Sequence, residues 1–166
     1  MYLQFCPCLL ENETLSISPE PKPRNCNCRN KDKCPMNGNC LSKTVIYRAE
    51  VDTPLGPRQY IGSTEKDFKI RYNGHTQSFR SSSKQNATAL SKCLWDHNLQ
   101  SDPKIKWNIL SNAHAYVPGH PFCDLCTTEK LCILKNIHNA HSLNKRNEIC
   151  KMCPHRDKFS LGTFKM

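Results

Sequence analysis

Apolar side chains alternate along Thr44–Val51, at Val45, Tyr47, Ala49 and Val51, which is the period of a strand with one buried face. Thr53-Pro54-Leu55-Gly56-Pro57 then supplies turn residues, and Gln59-Tyr60-Ile61-Gly62 resumes an extended apolar run. These segments predict a hairpin with a loop of about six residues, placing Tyr47 and Tyr60 on neighbouring strands. From Ser63 the spacing lengthens to three and four at Phe68, Tyr72, His75 and Phe79, a helix that Ser63 or Thr64 would cap. Arg71 and His75, four apart, project from one side of it. Ala87, Leu90, Leu94 and His97 predict a second helix that ends before Ser101-Asp102-Pro103. Ile105, Trp107 and Ile109 alternate with Lys106 and Asn108 as a third strand. Leu131, Leu134 and Ile137 mark a third helix from Thr127 to Asn139, with Glu129 in its first turn, where the helix dipole favours a carboxylate. That order of elements predicts an α+β fold, a small three-stranded antiparallel sheet flanked by helices, with a cysteine-rich N-terminal extension.

Ahead of the first strand the pattern disappears. Glu11–Arg24 holds Ser16, Ser18, Pro19, Pro21 and Pro23 without apolar periodicity, so residues 1–24 are expected to be a disordered tail or linker. Residues 25–43 carry Cys26, Cys28, Cys34 and Cys40 among asparagines and a glycine, which is turn chemistry held together by something other than a core. Residues 44–160 form the expected folded domain.

Composition adds a partner and a metal to this picture. Lys and Arg number 24 against 14 Asp and Glu, a formal charge of +10 and a pI near 9.1, which favours a polyanion, with nucleic acid ahead of an anionic membrane. Twelve cysteines mean either a disulfide framework or metal ligation. Met1–Leu10 has neither the basic start nor the uninterrupted apolar run of a secretory signal, and no stretch reaches the roughly 20 apolar residues of a membrane span. The expectation is an intracellular, nuclear protein with reduced thiols and no membrane contact. Cys26, Cys28, Cys34 and Cys40 would then bind structural Zn²⁺, and Cys123, Cys126, Cys153 and His155, with Cys150 nearby, form an alternative or shared set. Cys93 and Cys132 adjoin apolar helix positions and read as buried side chains, and Cys6 and Cys8 fall in the tail.

The hairpin and the helix after it resemble the GIY-YIG nucleases. Val45-Ile46-Tyr47 looks like the first motif with Val in place of Gly, and Tyr60-Ile61-Gly62 matches the second. Arg71 stands eleven residues after Tyr60, His75 four after Arg71, and Asn144 fifteen after Glu129, spacings similar to those of that family, over about Val45–Arg146. Cys26–Cys40, the run Phe68–His75, Leu143–Glu148 and Cys153-Pro154-His155 also look like GIY-YIG segments at the C-terminal end of Penelope-like retroelement polyproteins. That likeness implies a retroelement-derived fragment without its upstream reverse transcriptase.

The resemblance implies a metal-dependent endonuclease that hydrolyses DNA phosphodiester bonds. Tyr47 would be the base and Tyr60 would orient water or phosphate, both phenols needing a cation nearby to ionise. Arg71 would grip phosphate through its fork, and His75 would relay a proton or tune the tyrosine. Glu129 would hold catalytic Mg²⁺ or Mn²⁺, and Asn144 would bond phosphate or hold the metal-side loop. Each residue alone has a plainer reading: strand-core tyrosines, a solvated Arg–His helix face, a first-turn helix acid, a turn asparagine. The competing function is a catalytically vestigial, zinc-stabilised module that binds nucleic acid through its basic surface.

Overall fold

The protein is described by a computed structural model covering residues 25–155. The expected tail, 1–24, and the last residues of the expected domain, 156–160, lie outside the described residues. The fold is α+β, with strands β1 (Val45–Thr53), β2 (Gly56–Thr64) and β3 (Ile105–Asn112) and helices α1 (Phe68–Arg80), α2 (Ala89–Asp96) and α3 (Asp124–Asn136). The sheet is antiparallel in the order β2-β1-β3, so β1 is buried between two neighbours.

Strand alternation divides the core in two. Tyr47, Ala49 and Val51 face one way and pack with Tyr60, Phe68, Phe79, Leu90, Leu94 and Trp107, the layer beneath α1 and α2. Ile46 and Ile61 face the other way and pack with Leu125, Cys126 and Ile133 of α3. The outer edge of β2 is not left open. Gln59 exchanges backbone hydrogen bonds with His141 and Leu143, at 2.8 and 2.7 Å, which covers part of a row of otherwise unpaired groups.

Three local expectations are corrected. The hairpin loop is two residues, Pro54-Leu55, because Thr53 pairs with Gly56, the Thr53 hydroxyl donates to the Gly56 carbonyl at 2.7 Å, and Gly56 takes φ +102°. Ser63 and Thr64 end β2 instead of capping α1, whose N-cap is Asp67 without a side-chain cap bond. The free N–H groups of Phe68 and Lys69 donate instead to the carbonyls of Ser42 and Cys40, at 2.9 and 2.8 Å, so the cysteine loop caps this helix through its backbone. Finally, α3 begins at Asp124, three residues before the expected start, so its first-turn acid is Asp124 and Glu129 lies in the second turn. By contrast, α2 is capped by local chemistry, with Thr88 and Ser91 forming a reciprocal capping box.

Candidate active site and cysteine clusters

Register brings the two tyrosines together. Tyr47 pairs across the hairpin with Gly62 and Ala49 with Tyr60, so both phenols project from one face of the sheet, with ring centroids 6.5 Å apart. Gly62 is the residue that permits this. A β-carbon there would stand 2.6 Å from the Tyr47 hydroxyl oxygen and 3.0 Å from a Tyr60 ring carbon, closer than real contacts allow. Phe68 and Trp107 wall the Tyr47 ring, edge-on at 5.2 Å and tilted at 5.8 Å.

Helix α1 delivers the polar partners. Arg71 donates from Nε to the Tyr47 hydroxyl at 2.9 Å, and His75 Nε2 lies 2.8 Å from the same oxygen. Arg71 occupies an acceptor position on Tyr47, so the single phenolic proton is free to point at His75. His75 is buried, and burial, reinforced by the Arg71 charge, depresses its pKa to about 3 and holds the imidazole neutral. Its Nδ1 is buried without a hydrogen-bond partner. Desolvation raises the pKa of both phenols against the opposing pull of the Arg71 guanidinium, which acts on Tyr60 as well as on Tyr47.

Glu129 reaches the same region from α3, on the far side of β2. Ser63, through its side chain and backbone, favours the charged form of Glu129, and that charge is felt at Tyr47, Tyr60 and Arg71. Burial nevertheless raises its pKa, outweighing Ser63 and Arg71, so the carboxylate is short of compensating positive charge. Glu148, which the sequence reading did not single out, adds to this deficit through its own negative charge. The signal for it was its place four residues after Asn144.

Asn144 does something specific. Its Oδ1 accepts from the Ile61 N–H at 2.7 Å, and its Nδ2 donates to the Ile61 carbonyl at 2.8 Å and to Glu148 Oε2 at 2.8 Å. The amide is therefore committed to pinning β2 between Tyr60 and Gly62 and to holding Glu148.

Both cysteine groups close into clusters that could hold a metal ion. The ligand atoms of Cys26, Cys28, Cys34 and Cys40 lie within 4.8 Å of one another, and so do those of Cys123, Cys126, Cys153 and His155. In the first, the Cys28 N–H donates to Cys26 Sγ at 3.3 Å. Burial pushes the Cys34 thiol up, but hydrogen bonds from the backbone of Met36 and Gly38 and from neighbouring thiols bring it down to about 7, whereas burial and neighbouring thiols push Cys40 up to about 12. In the second, His155 Nδ1 lies 3.5, 3.3 and 3.8 Å from the sulfurs of Cys123, Cys126 and Cys153. Cys93 is buried and Cys132 half-buried, both outside the clusters, and Cys150 is exposed beside the second.

Comparison with known proteins adds no family: no family model, no curated protein and no solved structure matches the chain. No helix among the described residues is long and apolar enough to cross a membrane.

Proposed function

We propose that the chain is a metal-dependent endonuclease of the GIY-YIG kind, retroelement-derived, that hydrolyses phosphodiester bonds of nuclear DNA. One observation carries the reading: Arg71 and His75 both bond the buried Tyr47 hydroxyl, at 2.9 and 2.8 Å, with Tyr60 and the cation-deficient Glu129 within electrostatic reach. A sheet-core tyrosine needs one partner for its hydroxyl, and an arginine and a neutral histidine together exceed that need.

Phosphate binds the free nitrogens of the Arg71 fork, because only Nε is spent on Tyr47. A phosphate there offsets the guanidinium charge that helps depress His75, so His75 becomes a better acceptor when substrate is present. Tyr47 then takes a proton from the attacking water as its own proton passes to His75 Nε2, and Arg71 stabilises the phenolate character that develops. Tyr60, within electrostatic reach of Arg71, orients the water or a phosphoryl oxygen. Glu129 is the residue that would hold Mg²⁺ or Mn²⁺, whose chemistry there is to neutralise phosphoryl charge and assist the leaving oxygen. The two cysteine clusters would hold structural Zn²⁺ through an S₄ and an S₃N ligand set.

Supercoiled plasmid incubated with the protein and Mg²⁺ or Mn²⁺ tests this reading, with Arg71→Ala and Glu129→Ala alongside. Nicking that requires the ion and disappears in both variants supports it. Salt-sensitive DNA binding without any nicking favours the vestigial binding module instead.

A further inference from the structure

The second cysteine cluster is built into the frame of the candidate active site through one carboxylate. His155 Nδ1 is turned towards three sulfurs, so a ring that ligates a metal through Nδ1 would carry its proton on Nε2. That nitrogen faces Glu65 Oε2 at 3.6 Å, a separation that a few tenths of an ångström of side-chain motion closes to a hydrogen bond. The His155 side chain is 15% exposed and the Glu65 side chain 45%, so the ring is largely withdrawn from water, and among the described residues Glu65 is the acid set against it. Glu65 lies in the turn between β2 and α1, and its carbonyl accepts from the Thr44 N–H at 3.2 Å, which fixes the turn to the start of β1.

Two links run side by side from this turn to α3. Ser63, at the end of β2, stands close to Glu129 and favours its charged form, and two residues on, Glu65 faces the cluster that contains Cys126. Cys126 and Glu129 are three apart on α3, one helical turn, and so lie on the same face. Whatever fixes Cys126 to the β2–α1 turn also fixes how far Glu129 stands from Tyr60.

We infer that Glu65 is a positioning residue for a Zn²⁺ ion held by Cys123, Cys126, Cys153 and His155. It orients His155 by accepting the Nε2 proton and so joins metal occupancy at the start of α3 to the end of β2. The inference rests on the proposal that this cluster holds zinc, and it is independent of whether the chain cuts DNA. Outer-shell acceptors of this kind raise the basicity of the ligating ring and remove a rotational choice, and losing one typically costs about 10- to 100-fold in metal affinity.

The test uses the zinc-loaded full chain, zinc counting by elemental analysis, and competition with a colorimetric pyridylazo chelator. Wild type is expected to hold one ion for each of its two clusters, and a Cys123→Ser/Cys126→Ser variant only one. Glu65→Gln is expected to weaken one of the two ions about 10- to 100-fold and leave the other unchanged, while Glu65→Asp recovers part of the loss. In the Co²⁺-substituted protein, the visible band of the sulfur–nitrogen site, and not that of the all-sulfur site, should shift in Glu65→Gln. Wild type with a single zinc that survives the Cys123→Ser/Cys126→Ser change overturns the metal assignment beneath the inference. Two zincs whose affinities are unchanged in Glu65→Gln, or fall together, overturn the role of Glu65 alone.

Discussion

Replacing Gly62 by alanine adds one carbon at a crowded point of the sheet, and its cost follows from three distances. The new methyl would meet Tyr47 Oη at 2.6 Å, Tyr47 Cζ at 2.8 Å and a Tyr60 ring carbon at 3.0 Å, where carbon contacts normally begin at about 3.5 Å. Relief therefore requires the Tyr47 ring to move by roughly 0.5–1 Å. The ring cannot yield easily, being held at its hydroxyl by Arg71 and His75 and on its sides by Phe68 and Trp107. Overpacking of this kind costs about 1–3 kcal/mol, a fall in Tm of several degrees for a domain of this size. A displacement near 1 Å at the reacting centre costs about 10²-fold in rate. Gly74→Ala is the control, because its β-carbon meets nothing within 4 Å and Gly74 sits inside α1, where alanine is better by about 0.5–1 kcal/mol. Calorimetry and plasmid nicking on both variants read the contrast: Gly62→Ala less stable and slow, Gly74→Ala at least as stable as wild type and active. A Gly62→Ala protein with wild-type Tm and wild-type nicking would refute the packing argument and the central place given to Tyr47.

Three further outcomes are expected. Arg71→Ala should lower the nicking rate about 10²- to 10³-fold, and Arg71→Lys should not restore it, since lysine lacks the fork that bonds Tyr47 and phosphate at once. Glu129→Gln should abolish metal-dependent nicking yet raise Tm at neutral pH. Its folded pKa lies above the ordinary value of 4.5, so the stability tied to the protonated form is complete below about pH 4.5 and is lost as pH rises through the folded pKa. The Tm gap between variant and wild type should therefore be small in acid and widen towards neutrality, and added Mg²⁺ should stabilise wild type only. Asn144→Ala leaves the Ile61 N–H and carbonyl without their side-chain partners, and at about 1–3 kcal/mol for each group it should register first as lost stability by chemical denaturation.

How much of this was legible in the sequence divides along the range of the forces involved. Local periodicity located all three strands and the helix carrying Arg71 and His75, because period two and period 3.6 are properties of the chain itself. Spacing nominated both cysteine groups but left Cys150 among the candidates of the second and sharing between the two open; the fold brings Cys26, Cys28, Cys34 and Cys40 together in one cluster and Cys123, Cys126, Cys153 and His155 in the other, each within 4.8 Å. One miss was local, and the others depended on partners distant in sequence. The hairpin loop shrank from six residues to two because strand pairing continued to Thr53 and Gly56, where a threonine hydroxyl closes the turn. The cap of α1 comes from backbone carbonyls of the cysteine loop, which no capping residue announces. Asn144 presented itself as a turn residue near the site, and its bonds to Ile61, 83 positions away, are invisible to any local pattern. Glu148 and Glu65 were overlooked for the same reason, being surface acids until the fold sets them beside Glu129 and His155.

The central claim is that a carboxylate on α3 holds a divalent ion beside the Tyr47–Arg71–His75 group. Electron paramagnetic resonance of Mn²⁺ titrated into the zinc-loaded protein with duplex DNA reads that ion without requiring turnover. The account predicts an Mn²⁺ ion that is present in wild type and in Gly74→Ala and absent in Glu129→Gln. Mn²⁺ bound equally well without the Glu129 carboxylate, or not bound by wild type at all, would contradict it.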